Sequence, residues 1–288
     1  MIYAVPCATL LLVLVLIEPS ICFKVPLKLR SRPMTRLLMA DEIPSEGSEP
    51  QYARAGDGGD RVRVAKEGIL GLAGGQASDY TVGQKHLLEL QGYIRCLEES
   101  TAKIDEMEGS WELLYTNDDP TRSSPFFGAF RKSVKGIKTP VDPFNQLPAD
   151  FGSAVFKITD NIPIKSVGLV KQCISTGEIK SEVRVIVNPM GSSLMTTTSN
   201  LSLSEEDEVR RIYNVRVIKT EVLDSTVAKF LPGLDPASNP NGLPSGAVLE
   251  LVNPGSSTFQ LCCGYNDGEL RVVRSLEDPD SVFVYKRV

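Results

Sequence analysis

Few side chains in this sequence are placed to make or break bonds. His86 is the only histidine, and it follows Lys85 early in a helical stretch. A Ser-His or Cys-His nucleophile therefore requires that helix to reach a pocket, and a surface position is the simpler expectation. Asp118 and Asp119 are a possible acid–base pair, but neighbouring residues on a turn point apart, which suits turn formation and capping better. Gly-Ser-Ser at 191–193 and at 255–257 follows a proline each time and reads as hairpin turn rather than nucleophile. The sequence contains no GxxxxGK[ST], GxGxxG or HExxH. Cys96, Cys173, Cys262 and Cys263 form no CxxC and have no paired histidines for zinc. The chain thus offers no catalytic set and no metal set, and no cofactor is expected.

Groups that could hold a molecule are easier to find. Arg271, Arg274, Tyr285 and Arg287 fall on the last two strand candidates. Inside an apolar barrel they would orient a lipid carboxylate or carbonyl; on outward faces they would be solvated charges. Alternation does not fix which way either strand faces. Phe126, Phe127, Phe130, Phe144 and Phe151 crowd one long connection, beside Arg131, Lys132, Lys135 and Lys138. Aromatic and basic residues together suit a membrane-interface loop or a lid over a lipid pocket. The alternative is a loop packed back on the body. Trp111, the only tryptophan, could stack on a ring or polyene, but large aromatics dominate cores and a structural plug is the better expectation, with Arg274 or Arg287 covering its face. The candidate ligand contacts are Tyr115, Phe126, Phe127, Arg271, Arg274 and Tyr285.

Two kinds of element must position these groups. Leu87, Leu90, Ile94, Leu97, Thr101 and Ile104 recur at three- and four-residue spacing, one face of a helix, after the capping-box pair Thr81 and Gln84. A weaker helical stretch spans Arg61 to Leu72. From Gly109 the period falls to two. Strands are expected at Trp111–Thr116, Ala154–Thr159, Val167–Ser175, Glu182–Val187, Ser193–Leu203, Val209–Thr220, Ala247–Val252, Thr258–Tyr265, Leu270–Ser275 and Val282–Arg287. Turn signals separate them, such as Asn266-Asp-Gly268. Three longer connections interrupt the rhythm: Asn117–Ser153, Asp160–Ser166 and Leu223–Gly246. Within strands, Trp111, Leu113 and Tyr115 are expected on one face, as are Phe259, Leu261, Cys263 and Tyr265. Many strands, short links and little helix indicate an antiparallel sandwich or barrel. Several strands have no wholly polar face. That suits a mainly β fold, an antiparallel β-barrel filled by side chains or ligand and covered outside by helix.

The ends and the charge bound the setting. Residues 1–22 read as a signal peptide, with an apolar run from Leu10 to Ile17 too short to span a membrane. Residues 23–40 carry five basic groups and no acid, as transit peptides do. Residues 41–60 are rich in Glu, Asp, Gly, Ser and Pro and read as a disordered linker. The folded domain is then 61–288, with a helical region at 61–107 and the barrel at 108–288. Residues 41–288 hold 26 basic and 35 acidic side chains, a net of −9. That charge disfavours nucleic acid and simple electrostatic docking on anionic lipid.

The motifs Gly109-Ser-Trp-Glu-Leu-Leu-Tyr-Thr116, Thr121-Arg-Ser-Ser-Pro-Phe-Phe127, Asp160-Asn-Ile-Pro-Ile-Lys-Ser166, Val187-Asn-Pro-Met-Gly-Ser-Ser193, Asp224-Ser-Thr-Val-Ala-Lys-Phe-Leu-Pro232, Tyr265-Asn-Asp-Gly-Glu-Leu-Arg271 and Phe283-Val-Tyr-Lys-Arg287 follow one another along the chain. Their order resembles that of the plastid lipid-associated protein family, the fibrillins, from about Val82 to the C-terminus. The resemblance implies a lipocalin-like barrel. It also implies location at plastid thylakoids or plastoglobules, association with carotenoids, quinones or other neutral lipids, and a structural or lipid-handling role without catalytic residues. A signal peptide followed by a basic segment resembles the two-part presequence of algae whose plastid lies within the endomembrane system. The rival expectation is an enzyme on the same barrel, acting on a lipophilic plastid substrate. A third is a coat protein with a filled barrel and no ligand.

Overall fold

At Gly109 the chain turns from helix to strand, and from there it closes a barrel. The computed structural model describes residues 58–73, 84–100, 107–137, 153, 165–187, 191–204, 211–225 and 241–288. The expected signal, transit segment, strand 154–159 and Thr81 of the capping pair lie outside these residues, as do Lys138, Phe144 and Phe151. Eight strands follow in order: β1 (Gly109–Thr116), β2 (Lys165–Ser175), β3 (Glu178–Val187), β4 (Gly191–Leu203), β5 (Arg211–Leu223), β6 (Thr258–Asn266), β7 (Leu270–Ser275) and β8 (Asp278–Arg287). Each pairs antiparallel with the next, and β8 returns to β1. Closure leaves no sheet edge with unpaired backbone groups. An eight-stranded barrel is wide enough inside for packed side chains or one small ligand.

Two helices, α1 (Gly58–Ala73) and α2 (Gln84–Glu98), lie against the outside. Helix α1 begins within the stretch read as linker. Ala65 and Ile69 of α1 and Leu90, Ile94 and Leu97 of α2 pack with Leu270, Val272, Val282 and Val284 from the outer face of the barrel. A fully buried Ile or Leu contributes about 1.5–3 kcal/mol. The two helices approach closely at Gly68, where a Cβ would stand 2.4 Å from the Tyr93 ring. His86 is an exposed position of α2, 3.7 Å from Glu89.

Two bulges change the faces expected from strict alternation. The register between β1 and β8 slips between Leu113 and Tyr115. Leu113 stays inside, and Tyr115 joins the helix-side cluster. The β6–β7 register slips likewise between Cys263 and Tyr265, with the same result. An extra residue in one strand reverses every side chain beyond it.

Two segments differ from the sequence expectation. Residues 245–252 form a helix, α4 (Ser245–Val252), after the short helix α3 (Pro125–Ser133) in chain order. A short apolar run does not distinguish buried strand from helix, and here Leu249 is buried while Leu251 is 81% exposed. Residues 120–133 of the long connection after β1 are also structured. A 3₁₀ turn, Pro120–Ser123, is capped by the Asp119 side chain on the Thr121 amide. Helix α3 then starts with Pro125 in its first turn, where its fixed φ fits and no N–H is lost.

Candidate functional site

The barrel interior is built from one end to the other by three features: an aromatic floor, a polar middle and a helical lid. Trp111 forms the floor. It is fully buried near the start of β1, paired with Arg287 near the end of β8. Its indole N–H donates to the Met107 carbonyl at 2.9 Å. The Arg287 guanidinium lies 5.7 Å from its ring centre. Gly109 makes room for that arginine: its φ is +131°, and a Cβ would stand 2.9 Å from Arg287 Nη2. The expected cation over Trp111 is therefore Arg287, joined by Arg271 and not by Arg274.

Alternation along β7 and β8 resolves the direction that sequence left open. Arg271, Val273, Phe283 and Tyr285 face inward; Leu270, Val272, Val282 and Val284 face the helices. Arg274 faces out. Its Nε and Nη2 donate to the Glu98 carboxylate at 2.6 and 3.1 Å, so it fastens α2 to the barrel. Tyr115 also lies on the helix side, with its hydroxyl buried and without a hydrogen-bond partner. Burial raises its pKa. Neither Tyr115 nor Arg274 reaches the interior.

Arg271 is fully buried. Its guanidinium stacks 4.7 Å from the Trp111 ring and 4.4 Å from the Tyr285 ring. Nη2 donates to Gln172 Oε1 at 2.6 Å. The amide nitrogen of Gln172 donates to Tyr285 Oη at 2.9 Å and to the Ser123 carbonyl at 3.0 Å. Burial pulls the Arg271 pKa down, yet arginine stays protonated in proteins, so the barrel holds a cation. Burial also pushes the Tyr285 phenol up to about 12, although the Arg271 charge opposes the shift. Cys263, buried beside this group, is pushed up to about 11 by burial and is not a poised thiolate.

Gln172 escaped the sequence reading. It carries no motif, but it shares a strand face with Val170 and Ile174, both buried. A glutamine in a buried row was the available signal.

The lid closes the other end. Lys132 donates to the Thr258 carbonyl at 2.6 Å, and Arg131 pairs with Asp278, at the starts of β6 and β8. Phe126 and Phe130 are buried in the interior cluster, stacked with centres 6.1 Å apart. Phe127 packs edge-on against Phe126 at 5.3 Å and is half-buried, with Arg122 5.4 Å from its ring. The described part of this connection, residues 117–137, packs back onto the barrel, the alternative set beside membrane loop and lid, and its 3₁₀ turn reaches down to Gln172. Among the described residues, apolar side chains exposed at this end include Ile137, Leu251, Val252 and Leu276, with Lys135 exposed close by in sequence. The Asn253 amide joins the two segments through the Lys132 carbonyl at 3.4 Å.

Between lid and floor remains a cavity of about 30 Å³, touching Arg122, Ser123, Gln172, Phe283 and Tyr285. That volume holds one or two waters. Among the described residues no carboxylate or histidine lines it. Among the described residues no group of His, Cys, Asp and Glu is arranged for a metal, and no helix is long and apolar enough to cross a membrane. No family model matches the sequence, and no curated protein or solved structure matches it significantly.

Proposed function

We propose that this chain is a plastid lipid-associated protein of fibrillin type, whose barrel takes up an apolar molecule when the lid helix withdraws. The observation that carries the reading is the lid. Phe126 and Phe130 fill the barrel mouth from a short separate helix rather than from a strand. Withdrawing them opens apolar volume without breaking the strand ladder. The order of motifs and the signal-then-basic N-terminus support the plastid setting and the thylakoid or plastoglobule surface. For the membrane contact, Ile137, Leu251 and Val252 are better placed than Phe126. Small apolar side chains next to a lysine suit the headgroup boundary.

A second reading has an observation of its own. The 30 Å³ cavity fits a filled coat protein that holds no guest. An enzyme needs a buried acid or base at the cavity, and Tyr285, its phenol held near 12, is a poor proton acceptor or donor at neutral pH. Native purification from plastid fractions, followed by lipid and pigment extraction, separates the first two. Co-purification of an apolar molecule in stoichiometric amount is expected. A lipid-free protein that still coats plastoglobules would establish the coat reading, and one free of both membranes and lipid would refute both.

A further inference from the structure

Resting on the reading that the barrel takes a guest, the geometry points to an amphiphile with a carboxylate head, docked through the cavity against Arg271. The buried cation has spent only part of its capacity. Nη2 is bound to Gln172, whereas Nε and Nη1 have no acceptor. Its other neighbours include the rings of Trp111 and Tyr285, the Tyr213 phenol and the Cys263 thiol, none of which is a carboxylate. No Asp or Glu is among the buried described residues. Buried charges in proteins are paired, because desolvating a lone ion is costly. Here the counter-charge is missing, and its place is held by a neutral isostere: the Gln172 amide presents an oxygen to Arg271 where a glutamate would present an anion.

The surroundings favour an acceptor-rich guest. Gln172 pairs in register with Ser181, whose buried hydroxyl is also without a partner. Guanidinium N–H groups and a spare hydroxyl are a donor set. The cavity is lined by Gln172 and Tyr285, the direct neighbours of Arg271, and its volume is on the scale of a single carboxylate group. An aliphatic tail would then run toward the lid and replace Phe126 and Phe130. A neutral carotenoid or hydrocarbon would leave the cation as it is. A fatty acid would neutralise it with charge-assisted hydrogen bonds, about twice as strong as neutral ones.

The test uses the full chain with the fluorescent fatty acid cis-parinaric acid and its methyl ester, titrated against wild type and Gln172→Glu. Wild type is expected to bind the acid roughly tenfold or more tightly than the ester, the equivalent of one charge-assisted hydrogen bond. Gln172→Glu supplies the missing anion within the same side-chain volume, so the preference for acid over ester should fall by about tenfold. Equal affinity of wild type for acid and ester would overturn the carboxylate proposal and leave the guest-binding barrel standing. An acid preference that survives Gln172→Glu would place the anchor elsewhere and also overturn it. Failure of both probes to bind wild type would remove the barrel reading itself. Because the acid–ester comparison is made first on wild type, the answer does not depend on how the variant folds.

Discussion

The molecule has two cores, one on each face of the same strands, and they treat charge in opposite ways. The outer core joins α1 and α2 to the barrel. It is aliphatic and aromatic at its centre, and its charges sit at the rim in pairs: Lys66 with Asp267 and Glu269, Arg274 with Glu98. The inner core places its arginine at the centre, fully buried and without a carboxylate. The first arrangement is what stability alone favours. The second costs stability, and groups that do so are retained where they serve a site. The difference teaches that β7 carries both designs within four residues: Arg271 turned into the barrel without a carboxylate, Arg274 turned outward to pair with a helix.

The largest expected effects fall where the cores share no redundancy. Trp111→Ala should destabilise by about 3–5 kcal/mol in chemical denaturation, because it removes the floor of the inner core and the platform for two guanidiniums. A variant that melts like wild type yet loses lipid would make Trp111 a ligand wall instead. Leu97→Ala, in the outer core, should cost about 2–5 kcal/mol. Its hydrogen exchange should rise in α1 and α2 before the strands; uniform exchange would mean that the two cores unfold as one.

Acid should act on the outer core first. Burial by itself would raise the Asp267 pKa, but hydrogen bonds from Lys66, Tyr265 and two backbone amides hold it below the ordinary value. A carboxylate depressed in the folded state stabilises above its unfolded pKa, and that contribution is lost as pH falls through the folded value. Thermal stability should therefore decline below roughly pH 4, and less so in Asp267→Asn. An identical acid profile in the variant would remove this pair from the account. Smallest in stability, and largest in membrane contact, is Leu251→Ser with Val252→Ser. Both side chains are exposed, so folding should hold within about 0.5 kcal/mol while co-sedimentation with galactolipid vesicles drops. Unchanged sedimentation would rule this end out as the membrane face.

Much of this division was legible in the sequence. The change of period at Gly109, the α2 stripe and the inward or outward alternation within most strands follow from residue type alone. The failures have local physical causes. Tyr115 and Tyr265 are reversed by bulges, which insert a residue without a sequence signature here. Residues 247–252 are apolar except for Glu250 and too few to show a period. Ser124-Pro125 is a helix-start signal that the phenylalanines after it overshadowed. Gln172 depends on register: its meaning appears only when β2 sets it beside Trp111 and β7 brings Arg271 to it. Which of two arginines faces inward is decided by closure of the barrel, not by their spacing.

The contrast between the cores rests on the claim that Arg271 is kept for a guest and not for stability. Thermal and urea denaturation of lipid-free Arg271→Met tests it. Methionine fills similar space, and Gln172, which borders the cavity, can turn its freed oxygen to water. Even a buried ion pair can often be replaced by apolar side chains of similar volume with a neutral or stabilising effect of about 1–4 kcal/mol; Arg271 has no carboxylate to lose, so the variant should unfold no earlier than wild type. A loss of several kcal/mol would contradict the account and make Arg271, stacked on Trp111 and Tyr285, a structural keystone of the barrel.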